Sequence, residues 1–271
     1  MSRTALLRLA DLRAVHDLTA ECRDLGDDPG GWRRHWFRGV ARLTGADLGV
    51  GGEKSLPRVG TPVHLGAADW GFENGFDPTG WVEAIKEFHR DPNYSPAEQR
   101  YLARLRRDPG AVHTRADVMA DRGWYRSANY QGIQRVIGVD HTMWTYRFLR
   151  GGRDEVNGLI LCRAAGRRDF GPRDRAVARE AHAAVGPLVG GPLARFADPS
   201  PAALPPRVRQ VLRSLLEGDS DKQTAARFGL TRHTVNGYAK VVFRYFGVTT
   251  RAELLARWVR RGWGNKCAWA E

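Results

Sequence analysis

The stretch SDKQTAARFGLTRHTVNGYAKVVFRYFG, residues 220–247, decides the fold of the C-terminal part of this chain. Ser220 followed by Gln223 fits a capping box, which predicts that a helix begins at this point. Gly229 is suited to end that helix, and Thr231 is suited to cap the start of the next one. Two short helices joined by so short a turn are typical of a helix-turn-helix.

Apolar residues at helical spacing predict one further helix on each side of this pair. The apolar face of the preceding helix carries Val208, Val211, Leu212, Leu215 and Leu216. The following helix, about Arg251 to Arg261, buries Leu254, Leu255 and Trp258. The sequence therefore predicts an all-α domain of four helices over residues 204–264.

A proline-rich segment separates this domain from the rest of the chain. Residues 198–206 contain four prolines, and proline fixes φ, removes a backbone donor and disfavours helix at the residue before it. This pattern indicates a semi-rigid linker that ends at the first turn of a new helix. The predicted organisation is an N-terminal domain, a linker, a helical domain and a tail, over residues 1–197, 198–203, 204–264 and 265–271.

Positive charge is concentrated in the helical domain. The 271-residue chain has a net charge of +13, of which residues 204–264 carry +8 and residues 1–203 carry +5. Such a concentration favours a polyanionic partner such as DNA. The alternative is an arginine-rich composition throughout the chain, which the local excess argues against.

The C-terminal residues resemble the LuxR-type, also called NarL/FixJ-type, DNA-binding domain over about 60 positions. The matching residues are Leu204, Pro206, Arg207, Val211, Leu212, Leu216, Glu217, Gly218, Lys222, Ala225, Gly229, Thr234, Val235, Gly247, Val248 and Arg251 to Leu254. The resemblance implies four helices, with the third, about Thr231 to Tyr245, lying in the major groove of DNA.

By this resemblance, three residues of the recognition helix read bases: Asn236, Gly237 and Lys240. Asparagine pairs bidentately with adenine, and lysine donates to guanine O6 and N7. The phosphate contacts fall to Lys222, Arg232, Thr234 and Arg244, of which the cations neutralise phosphate charge. His233 is expected on the exposed surface of the same helix rather than at a metal.

Three positions depart from the family pattern. Pro205 replaces the usual threonine, and Thr224 stands where an aliphatic residue is preferred. Gly237 lies inside the recognition helix, where glycine costs about 1 kcal/mol relative to alanine. Two explanations of Gly237 stay open, a close approach of the backbone to DNA and a tolerated loss of helix stability.

The first two hundred residues predict an antiparallel sheet flanked by helices, so the whole chain is expected to be α+β. Apolar and β-branched runs indicate strands at Asp47 to Gly51, Ile133 to Val139, Met143 to Leu149 and Val156 to Cys162. The last two are joined by a hairpin signal at Arg150 to Asp154. Helices are predicted from about Leu6 to Cys22, Trp32 to Leu43, Trp81 to His89, Pro96 to Arg106 and Pro172 to Phe196.

This order resembles a GAF-type, PAS-related sensor domain. The resembling segments are residues 40–47, 157–163 and 170–175. Such domains often bind a small molecule beside the sheet. Candidate pocket residues are Trp124, Tyr130, Trp144 and Tyr146, with ordinary core packing as the alternative for each. The acidic pair Asp27-Asp28 follows a helix-like stretch and precedes Pro29-Gly30-Gly31, which argues against a phosphoacceptor receiver. The spaced Trp/Tyr/Asp pattern of acyl-homoserine-lactone receptors is not found.

Other classes of protein are disfavoured. No apolar run approaches the ~20 residues of a membrane span, and the N-terminus lacks the apolar core of a signal peptide. Cys22, Cys162 and Cys267 lie far apart without metal-ligand spacing, which fits a reduced, cytoplasmic setting. No P-loop, Gly-x-Ser-x-Gly or His-Glu-x-x-His motif occurs. The sequence therefore predicts no catalytic residue, metal or cofactor.

The sequence predicts a one-component transcription regulator that binds double-stranded DNA. Its N-terminal domain is expected to sense a small molecule or to mediate homodimerisation, and a contact with RNA polymerase is a further expectation. No membrane partner is expected. The alternative is an interaction module that docks on transcription machinery without reading bases.

Overall fold

The computed structural model describes residues 7–57, 62–91, 95–149 and 154–263. These residues divide into two compact units. The first unit contains residues 7–20 and 33–189, and the second contains residues 21–32 and 190–263.

The first unit is built on a five-stranded sheet, as far as its described residues show. The strands are β1 (Leu48–Ser55), β2 (Val63–Trp70), β3 (Val112–Thr114), β4 (Val139–Phe148) and β5 (Glu155–Ala164). Their order across the sheet is β2-β1-β5-β4-β3, and every neighbouring pair is antiparallel. The β4–β5 pair aligns Phe148 with Val156, as the predicted hairpin requires, although residues 150–153 lie outside the described residues.

Helices pack on both faces of this sheet. The helices before the C-terminal unit are α1 (Leu9–Asp24), α2 (Pro29–Thr44), α3 (Pro78–Arg90), α4 (Pro96–Leu105), α5 (Arg115–Val118), α6 (Asp121–Arg126) and α7 (Pro172–Val185). On one face, Trp36 of α2 contacts His182 of α7 edge-on, with ring centroids 5.0 Å apart. On the other, Tyr101 of α4 stacks on Trp144 of β4 at 5.9 Å.

The predicted α+β class, with an antiparallel sheet flanked by helices, is confirmed. The prediction of a strand from Ile133 to Val139 is wrong, because strand β4 begins only at Val139. Residues Tyr130–Gln134 form a π-helical turn that buries Ile133 and Gln134. Gly138 then adopts φ +80°, a left-handed conformation that glycine enters without strain, and the strand begins after it.

Three other details differ from prediction. Strand β2 was not predicted, because its Ala67-Ala68-Asp69 run has low β propensity. Strand β3 is three residues long and leaves too short a pattern to detect. Helix α7 ends at Val185 rather than near Phe196, because Pro187 follows and cannot continue a helix.

The second unit contains α8 (Pro206–Leu216), α9 (Asp221–Phe228), α10 (Arg232–Phe246) and α11 (Arg251–Arg261). These are the helices that the sequence predicts for the C-terminal domain. Their buried apolar residues form one cluster, which includes Val211, Leu215, Val235, Val242, Phe246, Leu254 and Trp258.

The proline-rich segment lies against this helical unit. Pro201 is buried, and the hydroxyl of Tyr245 donates to the carbonyl oxygen of Ser200 at 3.0 Å. Arg261 pairs with Asp198 at 2.9 Å. Residues 190–203 therefore belong to the second compact unit, whereas the predicted boundary between the N-terminal domain and the linker is at 197/198. The predicted tail, residues 265–271, lies outside the described residues.

A buried histidine makes the stability of the first unit depend on pH. His182 is fully buried, with Nδ1 2.9 Å from the Thr145 hydroxyl and Nε2 3.3 Å from the amide nitrogen of Asn157. Burial, together with the positive charge of Arg147, lowers the pKa of His182 from 6.5 to about 3. The imidazole is therefore neutral in the folded chain at neutral pH.

Because the unfolded chain takes up this proton first, we expect stability to fall as the pH decreases from about 6.5 towards 3. The expected slope is up to about 1.4 kcal/mol per pH unit. Urea unfolding between pH 5 and 7 measures it. His182→Gln should flatten the slope, and the exposed control His16→Gln should leave it unchanged. An equal slope in His182→Gln and wild type would show that another group is responsible.

Candidate functional site

One face of α10 is exposed and carries the residues predicted to read DNA. Val235, Ala239, Val242 and Phe246 are buried at helical spacing. The opposite face is open and carries the predicted base-reading residues Asn236, Gly237 and Lys240, together with Arg232, His233 and Arg244.

Capping interactions define the ends of α9 and α10 and so position this face. The Ser220 hydroxyl accepts from the Gln223 amide, and the Gln223 side chain accepts from the Ser220 amide at 2.8 Å. Gly229 ends α9 with φ +64°, a left-handed conformation that suits glycine. The Thr231 hydroxyl then accepts from the amide of Thr234 at 3.1 Å, which starts α10.

The cations predicted to contact DNA are not used to hold the domain together. Among the described residues, none makes an ion pair with Lys222, Arg232, Lys240 or Arg244, and all four are exposed. Other arginines of the unit have structural partners. Arg227 pairs with Glu217 and Asp219, and Arg251 donates to the backbone carbonyls of Asp219 and Leu215. The charge on this face is therefore available to a polyanion.

Two further predicted or unusual positions have clear local roles. The Thr234 hydroxyl lies 2.8 Å from that of Thr231, so it belongs to the cap as well as to the predicted phosphate contacts. Thr224, in place of an aliphatic residue, is fully buried with its hydroxyl 3.0 Å from that of Ser214. Ser214 in turn donates to Asp219 at 2.5 Å, so this polar pair satisfies its hydrogen bonds inside the domain.

Gly237 is not required by the packing of the domain. A Cβ atom at Gly237 would meet no atom within 4 Å apart from the neighbouring backbone of its own helix, and the φ of Gly237 is not in the left-handed region. Gly237→Ala should therefore stabilise the chain by about 1 kcal/mol, because alanine is the better helix former.

The same substitution separates the two explanations of Gly237. If the backbone of α10 approaches DNA closely there, Gly237→Ala should lower DNA affinity while raising the Tm. Thermal unfolding and fluorescence anisotropy with a labelled duplex measure the two effects. Unchanged DNA affinity would leave the tolerated loss of helix stability as the explanation.

The first unit contains a cavity of about 260 Å³. It lies between the sheet and the layer formed by α3, α4 and the π-helical turn. Its lining includes Lys54, Trp81, Glu98, Gln134, Trp144 and Ile160.

The four predicted pocket aromatics are placed differently around this cavity. Trp144 lines it. Tyr146 lies beside it and is hydrogen-bonded to two of the lining residues, Lys54 and Glu98. Trp124 and Tyr130 pack against each other, with ring centroids 5.8 Å apart, and neither lines the cavity.

A buried ion pair forms part of the cavity wall. Lys54 Nζ donates to Glu98 Oε1 at 2.8 Å and to the Tyr146 hydroxyl at 3.0 Å. The Tyr146 hydroxyl donates to the same Glu98 oxygen at 2.8 Å. Burial by itself would raise the pKa of Glu98, but the Lys54 ammonium and these hydrogen bonds lower it. Burial and the Glu98 charge raise the pKa of Tyr146, so the pair is ionic and the phenol neutral.

Sequence reasoning did not find Lys54, Glu98 or Gln134. Their positions are far apart in the chain and share no motif, so only the fold brings them to one cavity. One signal was available for Lys54. The run Gly51-Gly52-Glu53-Lys54 places two adjacent charges in a strand whose preceding residues, 48–52, are all apolar or glycine.

The described residues offer neither a metal site nor a membrane span. No group of three histidine, cysteine, aspartate or glutamate residues in the described ranges has a geometry suited to a metal ion. None of the described helices is both long enough and apolar enough to span a bilayer.

The second unit is thus a four-helix domain with a helix-turn-helix at α9 and α10. Residues 202–258 match the model of the family described as bacterial regulatory proteins, luxR family. This C-terminal domain is a luxR-family domain. No curated protein sequence matches the chain.

The chain is similar at low identity to a number of solved structures, among them the following three. SdiA in complex with octanoyl-rac-glycerol is 12% identical, with 96% of this chain and 100% of that chain covered and a TM-score of 0.45. The Escherichia coli SdiA crystal structure is 13% identical, with 86% and 92% covered and a TM-score of 0.36. The VqsR LBD domain from Pseudomonas aeruginosa is 15% identical, with 61% and 94% covered and a TM-score of 0.42.

Proposed function

We propose that this protein is a sequence-specific DNA-binding transcription regulator with a small-molecule sensor in its first unit. The observation that carries the proposal is the exposed face of α10 in a luxR-family domain. That face carries the exposed side chains predicted to read bases, together with exposed cations that form no ion pair among the described residues.

The proposed contacts follow from the chemistry of each side chain. With α10 in the major groove, Asn236 pairs with adenine and Lys240 donates to guanine. Gly237 lets the helix backbone approach the bases. Lys222, Arg232 and Arg244 neutralise phosphates, and the hydroxyl of Thr234 bonds to a phosphate oxygen. The phosphate contacts orient the domain, and the base contacts select the site.

The proposed active form is a cytoplasmic homodimer that also contacts RNA polymerase. Helix-turn-helix dimers read two half-sites about one helical turn apart, so the operator should be two-fold symmetric. Sedimentation of the full chain with and without the operator duplex tests the dimer. Monomers alone at DNA-binding concentrations would refute it. We propose that the functional N-terminal domain ends at residue 197 and that the DNA-binding domain begins at residue 204.

A selection from a random duplex library tests the proposed function directly. The full chain should enrich one symmetric motif, and its affinity should fall steeply as salt rises, because bound cations release counterions from DNA. Enrichment of no motif at low salt, by a chain that is folded by circular dichroism, would contradict base reading. Retention of a protein partner by an Asn236→Ala/Lys240→Ala variant would then favour the interaction module.

A further inference from the structure

The first unit has a second, smaller cavity of about 150 Å³ at the end of β4. It lies between the loop that follows α4 and the turn that follows α7, and its lining residues are Pro109, Gly110, Arg147, Phe148, Gly186 and Pro187. None of these residues lines the cavity between the sheet and the layer of α3 and α4. The two cavities are therefore separate.

Arg147 is the charged residue among the described lining residues, and its charge has no counterion. Its Nε atom is buried without a hydrogen-bond partner, and no described residue forms an ion pair or a side-chain hydrogen bond with its guanidinium group. Because an unsatisfied buried donor is unfavourable, an anion that accepts a hydrogen bond from this group gains affinity.

The unpaired state of Arg147 distinguishes it from comparable arginines. Arg33, Arg115 and Arg175 also have a buried Nε atom without a partner, but each of them forms an ion pair through an Nη atom, with Glu53, Asp121 and Asp117 respectively. These three guanidinium groups are therefore neutralised within the fold. The Arg147 guanidinium is left to bind a group from outside the described chain.

Two glycines position the Arg147 side chain at the cavity wall. A Cβ atom at Gly110 would lie 3.1 Å from the guanidinium carbon, and one at Gly186 would lie 3.1 Å from Cδ of Arg147. The side chain therefore packs closely against both backbones, which restricts its rotamers before any ligand binds. A side chain that is already restricted loses little conformational entropy on binding.

The surroundings of Arg147 limit the charge of the anion. Arg147 supplies one positive charge, and the C-terminal end of α7, where backbone carbonyls carry partial negative charge, lies beside it. A further carboxylate, that of Asp108, is exposed next to Pro109 and forms no ion pair with Arg147. A monoanion is therefore favoured over a dianion.

The rest of the cavity favours a small apolar group. Phe148, Pro109 and Pro187 contribute apolar surface, and the two glycines contribute only backbone. A cavity of about 150 Å³ is large enough for a six-membered ring. The site thus combines one guanidinium group with space for a ring or a short chain.

We propose that this second cavity binds a small monocarboxylate. The carboxylate accepts hydrogen bonds from the Arg147 guanidinium, whose planar fork suits it, and the ring or chain packs against Phe148 and the prolines. This inference goes beyond the proposed regulator function, because it assigns the first unit a ligand site that DNA binding does not require.

Calorimetric titration of the full chain at pH 8 and constant ionic strength tests the proposal with benzoate, benzamide and inorganic phosphate. Benzamide has the shape of benzoate without its charge, and phosphate is mainly a dianion at this pH. Benzoate should bind at least about tenfold more tightly than either of the other probes. Equal or tighter binding of benzamide or of phosphate, or no binding of benzoate, would overturn the proposal.

Substitutions of Arg147 show whether benzoate binds at this cavity. Arg147→Met should weaken benzoate binding at least about tenfold, and Arg147→Lys, which keeps the charge but loses the planar fork, should weaken it to a smaller extent. Arg107→Met is the matched control, because it removes an exposed positive charge near Pro109 without changing the lining, and it should retain benzoate binding.

Circular dichroism checks that each variant is folded, and Arg147→Lys decides the matter if Arg147→Met does not fold. Wild-type benzoate affinity in the folded Arg147 variants would show that benzoate binds elsewhere and would refute the assignment of this site. An equal loss of affinity in Arg107→Met would refute it as well, because general electrostatic attraction would then explain the binding.

Discussion

Asn236→Ala/Lys240→Ala should lose specific binding to the selected operator. Each base contact is worth about 1–3 kcal/mol, so the double variant should lose about 2–6 kcal/mol. That loss corresponds to roughly 30-fold to more than 10,000-fold in affinity. Because Asn236 and Lys240 are exposed, the substitutions leave no cavity and no unpaired buried group, and the fold should be unaffected.

The two single variants should differ in their response to salt. Asn236→Ala removes a neutral contact, so it should weaken operator binding without changing the salt dependence. Lys240→Ala should relax specificity at the base that Lys240 contacts, and it should also reduce the salt slope, because it removes a positive charge from the interface with the DNA polyanion. Anisotropy at several salt concentrations measures both effects.

Arg260→Ala is the control for loss of a positive charge. Arg260 is exposed on α11, outside the proposed recognition surface, so this variant should retain the operator motif. An Asn236→Ala/Lys240→Ala variant that enriches the wild-type motif with wild-type affinity would contradict the assignment of α10 as the recognition helix.

Arg33→Met should destabilise the first unit by about 3–5 kcal/mol. Arg33 of α2 and Glu53 of β1 form an ion pair in which the two side chains expose 0% and 1% of their surface. Removing one member of a fully buried pair leaves the other charge without its partner in a medium that solvates it poorly. Since most domains are stable by 5–15 kcal/mol, this is a large fraction of the total. Denaturant unfolding of the full chain measures it.

The double variant Arg33→Met/Glu53→Leu distinguishes this cause from a simple packing defect. Replacing both charges with apolar side chains of similar size is often neutral, so the double variant should recover most of the lost stability. A double variant as unstable as the sum of the two single variants would show that packing, rather than the uncompensated charge, causes the loss.

Exposed ion pairs such as that of Lys86 with Glu83 should each contribute less than about 1 kcal/mol to the free energy of unfolding.

Local sequence signals were sufficient for the C-terminal domain. Its caps at Ser220 and Thr231, its stops at Gly229 and Gly247 and its helical apolar spacing all act within a few residues. The structure has α8 to α11 where those signals predict them. The exposed face of α10 follows from the same spacing, because burying one side of a helix leaves the opposite side open.

In the first unit, local signals did not predict the correct secondary structure where contacts with residues distant in the sequence determine the conformation of the chain. The apolar run at 133–138 has the composition of a strand, but it turns beneath the cavity because Gln134 and Ile133 are buried there. Strand β2 has a weak strand sequence, and it forms because seven of its residues pair with β1. In both cases tertiary packing outweighs local propensity.

By itself, the sequence determined the class of each unit, the positions of the C-terminal helices and the residues proposed to contact DNA. These depend on periodicity and capping, which are local interactions. Only the tertiary structure decided that Lys54, Glu98 and Gln134 line one cavity, and that Arg33 is neutralised by Glu53. Residues so far apart in the chain meet only when the sheet and its helices pack. Burial makes an unpaired charge or acceptor costly, and these residues are buried only in that packed state.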